Sequence, residues 1–276
     1  MTIDSHHHFW KYNPAEYSWI DDAMSAIRRD FLAADLAREI EHANVDAVIS
    51  VQARQSLDET RWLLELARAN AFIAGVVGWL PMVSPSAGDH LDALLADARG
   101  KLVGLRHVLQ AEPDDYAFDA HFTVILRQLA LQNLSYDILI LERQLPSAIA
   151  LVDRHPNLTF VLDHLAKPRI KDGAISPWRE RIGELAKRPN VYCKISGMVT
   201  EADYRAWTPD QLRPYVDVAL ESFGPHRLMF GSDWPVCLVA CDYTRWANIV
   251  RGFIQTLSPT EQADIMGNTA RRAYRL

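Results

Sequence analysis

The stretch Arg227-Leu-Met-Phe-Gly-Ser-Asp233-Trp-Pro235 carries the strongest indication of the fold. It is an apolar run that ends in a carboxylate, and a buried strand does not end in a charge without a partner. Near the other end of the chain, a second short run, Ile3–His8, contains the histidines His6 and His8. In a closed barrel of eight parallel strands the first and last strands are neighbours, so such a fold would bring Asp233 beside the two imidazoles. The site formed there could hold a metal ion, activate water, or both.

Strand-like runs alternate with helix-like runs along the whole chain. The strand-like runs are short and mostly apolar on both faces, as expected for strands covered by helices. They are predicted at Ile3–His8, Asp46–Gln52, Phe72–Trp79, Leu102–Val108, Ser135–Leu141, Leu158–His164, Val191–Ser196 and Leu228–Asp233. Helices are predicted at Leu57–Asn70, His90–Ala98, Phe122–Gln132, Pro146–Arg154, Trp178–Lys187 and Pro209–Phe223, the last of them capped by Thr208. This alternation predicts a parallel sheet.

Two arrangements of a parallel sheet fit this alternation, an open doubly wound sheet and a closed (β/α)8 barrel. A doubly wound sheet normally has a glycine-rich first turn that binds phosphate. The first turn here is His-His-His-Phe-Trp, which contains no glycine. Polar residues also follow most of the predicted strands, and barrel enzymes carry their chemistry at the C-terminal ends of strands. We therefore predict a (β/α)8 barrel formed by residues 1–276 as a single domain.

The composition narrows the class of protein. The chain has 276 residues, of which 49% are hydrophobic, and its formal net charge is −6, which argues against nucleic-acid binding. The longest apolar stretch, residues 71–83, is interrupted by two glycines and a proline, so no membrane span is predicted. No secretory signal is expected, and the three cysteines are too few and wrongly spaced for a disulfide framework or a zinc site. These features predict a cytoplasmic enzyme or binding protein, without indicating its oligomeric state.

Histidines and aspartates are the candidates for chemistry. His6 and His8 are two residues apart, so on a strand both point the same way and can bind one cation about 2 Å from each nitrogen, while His7 faces the other side. Asp233 is predicted to act in catalysis or metal binding, although an aspartate before a helix can also be an N-cap. In Asp163-His164, a regular strand would send the two side chains to opposite faces, and His164 is the predicted site residue. The alternative is a core histidine that bonds a backbone carbonyl.

Further candidates are cationic and aromatic. Arg106 and Arg54 are predicted to contact a polar substrate, because guanidinium groups can polarise a carbonyl or bind hydroxyl and carboxylate oxygens. Surface ion pairs are the alternative, above all for Arg54. Trp10 and Trp234 flank the predicted mouth and could stack on a sugar ring, or serve as core. Lys194 is predicted either to point into the barrel or to reach solvent.

Taken together, these motifs resemble the amidohydrolase superfamily. The resemblance is to its amidohydrolase 2 branch, and within it to sugar-lactone hydrolases of the L-fuconolactonase and L-rhamnonolactonase type. It extends from Ile3 to about Asn268. The motifs that carry it are Asp4-Ser-His6-His-His8-Phe-Trp10, Gly104-Leu-Arg106, Asp163-His164-Leu-Ala-Lys-Pro168, Lys194-Ile-Ser-Gly197 and Gly231-Ser-Asp233-Trp-Pro235.

The resemblance implies a distorted barrel and the hydrolysis of an aldono-1,4-lactone, such as an L-fucono- or related deoxysugar lactone. It also implies a ligand set of His6, His8, His164 and Asp233. Strand four lacks the bridging lysine or glutamate of binuclear relatives, and strand five lacks their metal-binding histidine. Such a set could hold one divalent ion, zinc on ligand softness, and it could equally work without a metal, since lactones are activated esters.

The mechanism expected from these residues is attack of water on the lactone carbonyl. Asp233 takes the proton from water, and Arg106, Arg54 and His164 stabilise the oxyanion. Asp233 or His164 then returns a proton to the leaving hydroxyl. Two alternatives stay open: a metal-dependent decarboxylase of an unsaturated or aromatic acid in the same barrel, and a non-catalytic barrel that binds a sugar.

Overall fold

The computed structural model describes all residues from 1 to 276 and shows eight parallel strands in sequential order. They are Ile3–His7 (β1), Ala47–Val51 (β2), Ile73–Gly78 (β3), Leu102–His107 (β4), Ser135–Ile138 (β5), Thr159–Leu162 (β6), Val191–Ile195 (β7) and Leu228–Phe230 (β8). The ends meet where the His8 N–H donates to the Trp234 carbonyl (2.7 Å) and the Asp233 N–H donates to the His6 carbonyl (2.8 Å). The predicted (β/α)8 barrel is thus confirmed, with these bonds joining its first and last strands.

Helices surround the sheet. They are Ala33–His42 (α1), Leu57–Ala69 (α2), Ala87–Ala98 (α3), Ala120–Leu131 (α4), Leu145–Arg154 (α5), Trp178–Ala186 (α6), Pro209–Phe223 (α7), Tyr243–Ile254 (α8), Pro259–Ala263 (α9) and Thr269–Tyr274 (α10). The six predicted helices correspond to α2–α7, whereas α1, α8, α9 and α10 were not predicted. None of the helices combines the length and apolar character needed to cross a bilayer.

The C-terminal helix packs against residues of the barrel interior. Tyr274 in α10 clusters with Ile49, Val77 and Val161 from the strands. Its hydroxyl donates to the Asp137 carboxylate at 2.8 Å, and the Ser135 hydroxyl donates to the Ala273 carbonyl at 2.7 Å. The last residues of the chain therefore help to fill the barrel and hold a carboxylate buried within it.

The segment after β6 departs from the prediction. β6 ends at Leu162, and the four residues 164–167 all have φ between 51° and 58°. A left-handed conformation costs about 1–2 kcal/mol for each residue with a Cβ atom, so this turn needs compensating contacts. One of them is a hydrogen bond from Trp178 Nε1 to the Leu165 carbonyl (2.7 Å). The expectation that Asp163 and His164 point to opposite faces is wrong, because the chain is no longer a strand there and both approach His6.

Candidate active site

Three imidazoles surround one carboxylate where the strands end. Oδ1 of Asp233 lies 3.5 Å from Nε2 of His8, 3.7 Å from Nε2 of His6 and 3.8 Å from Nε2 of His164. His6 is completely buried, and the other three side chains are 5–6% exposed. The fold therefore brings together the four residues that the family resemblance implied as a ligand set.

Asp233 is held in place from β1. The Asp4 carboxylate accepts hydrogen bonds from the Ser232 hydroxyl (2.6 Å), the Ser232 N–H (2.8 Å) and the Tyr243 hydroxyl (2.9 Å). Asp233 itself has a left-handed φ of 57°. Burial raises the pKa of Asp4 to about 6, although these hydrogen bonds oppose the shift. Asp4 was not predicted as part of the site, yet it anchors the residue that precedes Asp233.

The hydrogen-bond partner of Nδ1 in each histidine determines which tautomers that histidine can adopt. Nδ1 of His8 lies 2.9 Å from the Val51 carbonyl, which can only accept, so Nδ1 carries the hydrogen and Nε2 presents a lone pair. Nδ1 of His164 lies 2.8 Å from the Ser196 hydroxyl, which can donate or accept. Nδ1 of His6 lies 3.3 Å from Oδ1 of Asp163. When His6 donates to Asp163, its Nε2 presents a lone pair towards His8, 3.2 Å away.

This donor set fits a divalent metal ion. Two facing lone pairs at 3.2 Å repel each other unless a cation or a proton lies near them. Ligand atoms about 2 Å from a common tetrahedral ion lie about 3.3 Å apart, close to the separations that join His6, His8 and Asp233. The three nitrogens and one carboxylate oxygen are ligands that zinc accepts. His6, His8 and Asp233 form one group whose ligand atoms all lie within 4.8 Å of one another, and His164 groups in the same way with His6 and Asp163.

The surroundings of Asp233 and His164 favour an ionised carboxylate and a neutral imidazole. Burial disfavours the charged form of Asp233, but His164 and His8 outweigh it and lower the carboxyl pKa below its ordinary value. Burial lowers the pKa of His164 to about 4, against the pull of Asp233 and Asp163. At neutral pH the site thus holds an ionised carboxylate beside a neutral imidazole.

A network of buried charges lies directly beneath these residues. Nζ of Lys194 is 2.5 Å from Oδ2 of Asp137, 2.9 Å from Oδ1 of Asp163 and 3.1 Å from Nδ1 of His6. Nη1 of Arg106 is 2.9 Å from Oδ2 of Asp163, and its Nη2 donates to the Gln52 carbonyl. Burial favours the neutral form of Asp163, but Lys194, His6 and Arg106 together hold its pKa well below the usual range.

This network changes what two predicted residues can contact. Lys194 points into the barrel and is fully buried, and its Nζ lies within 3.1 Å of Asp137, Asp163 and His6. It is therefore enclosed by protein atoms and does not reach a substrate. Arg106 is 3% exposed and uses both terminal nitrogens within the protein, so it reaches the site through His6, at 3.3 Å, and through Asp163.

The two tryptophans lie in the walls. Trp10 is 0% and Trp234 1% exposed, and both pack edge-on against Phe31. Trp10 also donates its indole hydrogen to the Arg29 carbonyl at 2.9 Å. Neither ring exposes enough surface to stack on a sugar in this arrangement, because packing among the long loops after β1 and β8 covers them.

Arg54 is the predicted cation that remains accessible. Its side chain is 26% exposed, pairs with Glu16 and lies 5.5 Å from the centre of the Tyr17 ring. Beneath it, the carboxylate of Glu59 accepts the backbone N–H groups of Ala53 (2.9 Å) and Arg54 (2.6 Å). Burial raises the pKa of Glu59 to about 7. Arg54 thus links the end of β2 to the loop after β1.

Comparisons with known proteins agree with this architecture. A family model described as amidohydrolase matches residues 3–276. The chain therefore belongs to the amidohydrolase family, which confirms the resemblance read from the motifs and the prediction of a hydrolase.

Two relatives and one solved structure share almost their full length with this chain. One, named L-fucono-1,5-lactonase, from Burkholderia multivorans, is 44% identical over 100% of this chain and 96% of its own. A protein of the same name from Burkholderia ambifaria is 36% identical over 100% of this chain and 96% of its own. A crystal structure of a Burkholderia multivorans amidohydrolase with bound zinc is 43% identical, covers 100% of this chain and 99% of that one, and superposes with a TM-score of 0.95.

Proposed function

We propose that this protein hydrolyses the ester bond of a sugar lactone, and that the substrate is an L-fucono- or related deoxysugar lactone. The observation that carries the proposal is the contact of Asp233 with three imidazoles at 3.5–3.8 Å at the mouth of the barrel. An ionised carboxylate beside the neutral imidazole of His164 is suited to accept a proton from water. The relatives named L-fucono-1,5-lactonase support both the reaction and the sugar.

In the proposed reaction, Asp233 is the general base. Its depressed pKa keeps it ionised at neutral pH, so it can take a proton from the water that attacks the lactone carbonyl carbon. The same carboxyl group can then return the proton to the ring oxygen as the carbon–oxygen bond breaks. The products are one carboxylate and one hydroxyl on the same opened chain.

His164 is proposed to stabilise the oxyanion. When the Ser196 hydroxyl donates to Nδ1 of His164, Nε2 carries a hydrogen that can be donated to the developing negative charge. When Ser196 accepts instead, Nε2 has a lone pair and can bind a metal. His164 can therefore serve as donor or as ligand, but not as both at once. Arg54 is proposed to contact the substrate at the rim, and Arg106 to support His6 from below.

A single zinc ion held by His6, His8 and Asp233, with His164 proposed as a fourth ligand, is part of the proposal. The grouping of the first three residues and the zinc-bound crystal structure of the 43% identical amidohydrolase support it. When bound, such an ion polarises a carbonyl and lowers the pKa of water. Lactones are activated esters, so hydrolysis is also proposed to continue without the metal. The three cysteines are all unpaired, which suits the reducing cytoplasm that we propose as its compartment.

The size of the lactone ring is a separate part of the proposal. The sequence motifs predicted a five-membered 1,4-lactone, whereas the names of two relatives favour the six-membered 1,5-lactone. We propose that the chain accepts both rings, because each presents an ester carbonyl beside a row of hydroxyl groups.

The test is a panel of sugar lactones, assayed by the acid that hydrolysis releases, with and without a metal chelator. Turnover of L-fucono-1,5-lactone or its 1,4 isomer supports the proposal. Release of carbon dioxide from an aromatic acid, without any lactone hydrolysis, would favour the decarboxylase. Binding of a sugar lactone without turnover would favour a binding protein.

A further inference from the structure

The left-handed turn at residues 164–167 presents Lys167 next to the site. The Lys167 N–H donates to the His164 carbonyl at 2.8 Å, and in such a turn residues three apart lie on the same side. The same turn that aims His164 at Asp233 therefore sets Lys167 beside it. The conformation is costly for non-glycine residues, which is typical of a segment under functional constraint.

The N–H groups of the Lys167 ammonium are available as hydrogen-bond donors. Its Nζ lies 3.7 Å from Oε1 of Glu201, beyond hydrogen-bond distance, and it makes no hydrogen bond to the protein. The two side chains are 21% and 25% exposed. This contrasts with Lys194, whose fully buried Nζ lies within 3.1 Å of two carboxylates and an imidazole. Lys167 and Glu201 are thus an accessible, loosely joined pair of opposite charge.

The pair borders the catalytic groups. Burial lowers the pKa of His164 and the Lys167 charge adds to that effect, against Asp233 and Asp163. Burial acts to raise the pKa of Asp233, and the Lys167 charge opposes it together with His164 and His8. Burial, and after it the charge of Asp233, raises the pKa of Glu201. A backbone hydrogen bond from Lys171 to Glu201 (2.9 Å) ties together the loops that follow β6 and β7. Both side chains therefore lie within electrostatic reach of the reacting centre, on loops that are joined to each other.

We propose that Lys167 and Glu201 form a subsite for two neighbouring hydroxyl groups of the lactone. The ammonium donates to one hydroxyl oxygen, and the carboxylate accepts the hydrogen of the other. An adjacent donor and acceptor of full charge match a diol better than they match an apolar ring, because removing either hydroxyl leaves a charged group without its partner. The inference rests on the proposed lactone hydrolysis, and it assigns the class of substrate to a polyhydroxylated ring.

The test compares Lys167→Met and Glu201→Gln on two substrates, L-fucono-1,5-lactone and the unsubstituted δ-valerolactone. Each variant is expected to lose about 100-fold in kcat/KM on the sugar lactone and less than about threefold on the plain lactone. Lys171→Met is the matched control. Its ammonium is 68% exposed and 4.0 Å from Asp203, so it forms another loose ion pair between the same two loops. It should leave both reactions unchanged.

Equal losses on the two lactones would overturn the diol subsite, as would retention of full activity on the sugar lactone. Thermal unfolding of each variant checks that the loops remain folded, and the ratio of the two activities is independent of how much protein is folded. A wild-type protein that hydrolyses neither lactone would overturn the proposed function itself. If the wild type is active and the ratio of activities on the two lactones is the same in the variants as in the wild type, only the subsite is overturned.

Discussion

Nε2 of His6 and Nε2 of His8 lie 3.2 Å apart, and the Val51 carbonyl holds the hydrogen of His8 on its other nitrogen. This relationship predicts a metal site. Zinc at 100 times its dissociation constant should raise the free energy of unfolding by about 2.7 kcal/mol. His8→Ala should abolish most of that gain, as measured by urea denaturation with and without zinc. His90→Gln, on α3, serves as a control and should respond to zinc like the wild type. An unchanged response in His8→Ala would exclude this ligand set.

Asp233→Asn should remove the general base while keeping the shape of the side chain. We expect kcat/KM on a sugar lactone to fall by about 10²–10⁴-fold, the usual contribution of a positioned base. Asp172→Asn, whose carboxyl group is 61% exposed, is the control and should retain full activity. Full turnover by Asp233→Asn in steady-state kinetics would refute the assignment.

Gly197→Ala should damage the site more than the fold. Gly197 has a φ of 63°, and a Cβ atom there would lie 2.5 Å from Nδ1 of His164. Gly173 has the same φ with open space around it, so Gly173→Ala isolates the cost of the backbone conformation. Gly173→Ala should lose about 1–2 kcal/mol of stability, measured in urea, and Gly197→Ala should lose more, because the His164 side chain must also shift. Only Gly197→Ala should also lose most of its activity, and similar kinetics in the two variants would contradict this reasoning.

Lys194→Met should be strongly destabilising. It leaves the buried carboxylates of Asp137 and Asp163 without the ammonium that lies 2.5 and 2.9 Å from them. Removal of one partner from a buried ion pair costs about 3–5 kcal/mol. Chemical denaturation measures the loss, and adding Asp137→Asn should recover part of it. A loss below about 1 kcal/mol, as is typical for a surface pair, would show that the network contributes little.

Glu59 should make stability depend on pH. Its pKa is about 7 in the folded protein, against 4.5 for an ordinary glutamate, so the folded state holds the proton more tightly than the unfolded state. Its contribution is therefore most favourable below pH 4.5 and is lost as pH rises towards 7. The loss amounts to about 3 kcal/mol over that range.

Glu59→Gln should remove this contribution without changing the size of the side chain. In urea titrations, the free energy of unfolding of the wild type should fall relative to that of the variant between pH 5 and pH 7.5. Glu65→Gln, on the exposed side of α2, should show no such trend. A difference that stays constant with pH would mean that Glu59 titrates normally.

Much of the fold could be predicted because it depends on local patterns. Short apolar runs alternating with amphipathic segments specify strands and helices from neighbouring residues alone. The helices that were not predicted are α1 and α8, which flank the long loops after β1 and β8, and the short C-terminal helices α9 and α10. The strand ends were placed too late for β5, β6 and β8, because residues that follow a strand can continue its sequence pattern without its hydrogen bonds.

The site was predictable in its chemistry but only partly in its arrangement. The sequence already indicated that His6 and His8, at the end of the first strand, could share a site with Asp233, which follows the last strand. Asp4 and Asp137 were missed as supporting residues, since partners such as Ser232 and Lys194 lie 228 and 57 residues away along the chain. The only available signal was that each is an acidic residue within or beside an apolar run, which demands a partner in the core.

The order of the amino acids alone determined the alternation of strands and helices, and therefore that the imidazoles of the first strand and the carboxylate after the last could be neighbours. Only the folded chain decided that Lys194 is occupied by two carboxylates, that Trp10 and Trp234 are walls, and that residues 164–167 turn left-handed to present both His164 and Lys167. The physical reason is range. Strand and helix periodicity arises within a few residues, whereas charge pairing, burial and backbone strain depend on atoms brought together by closure of the barrel.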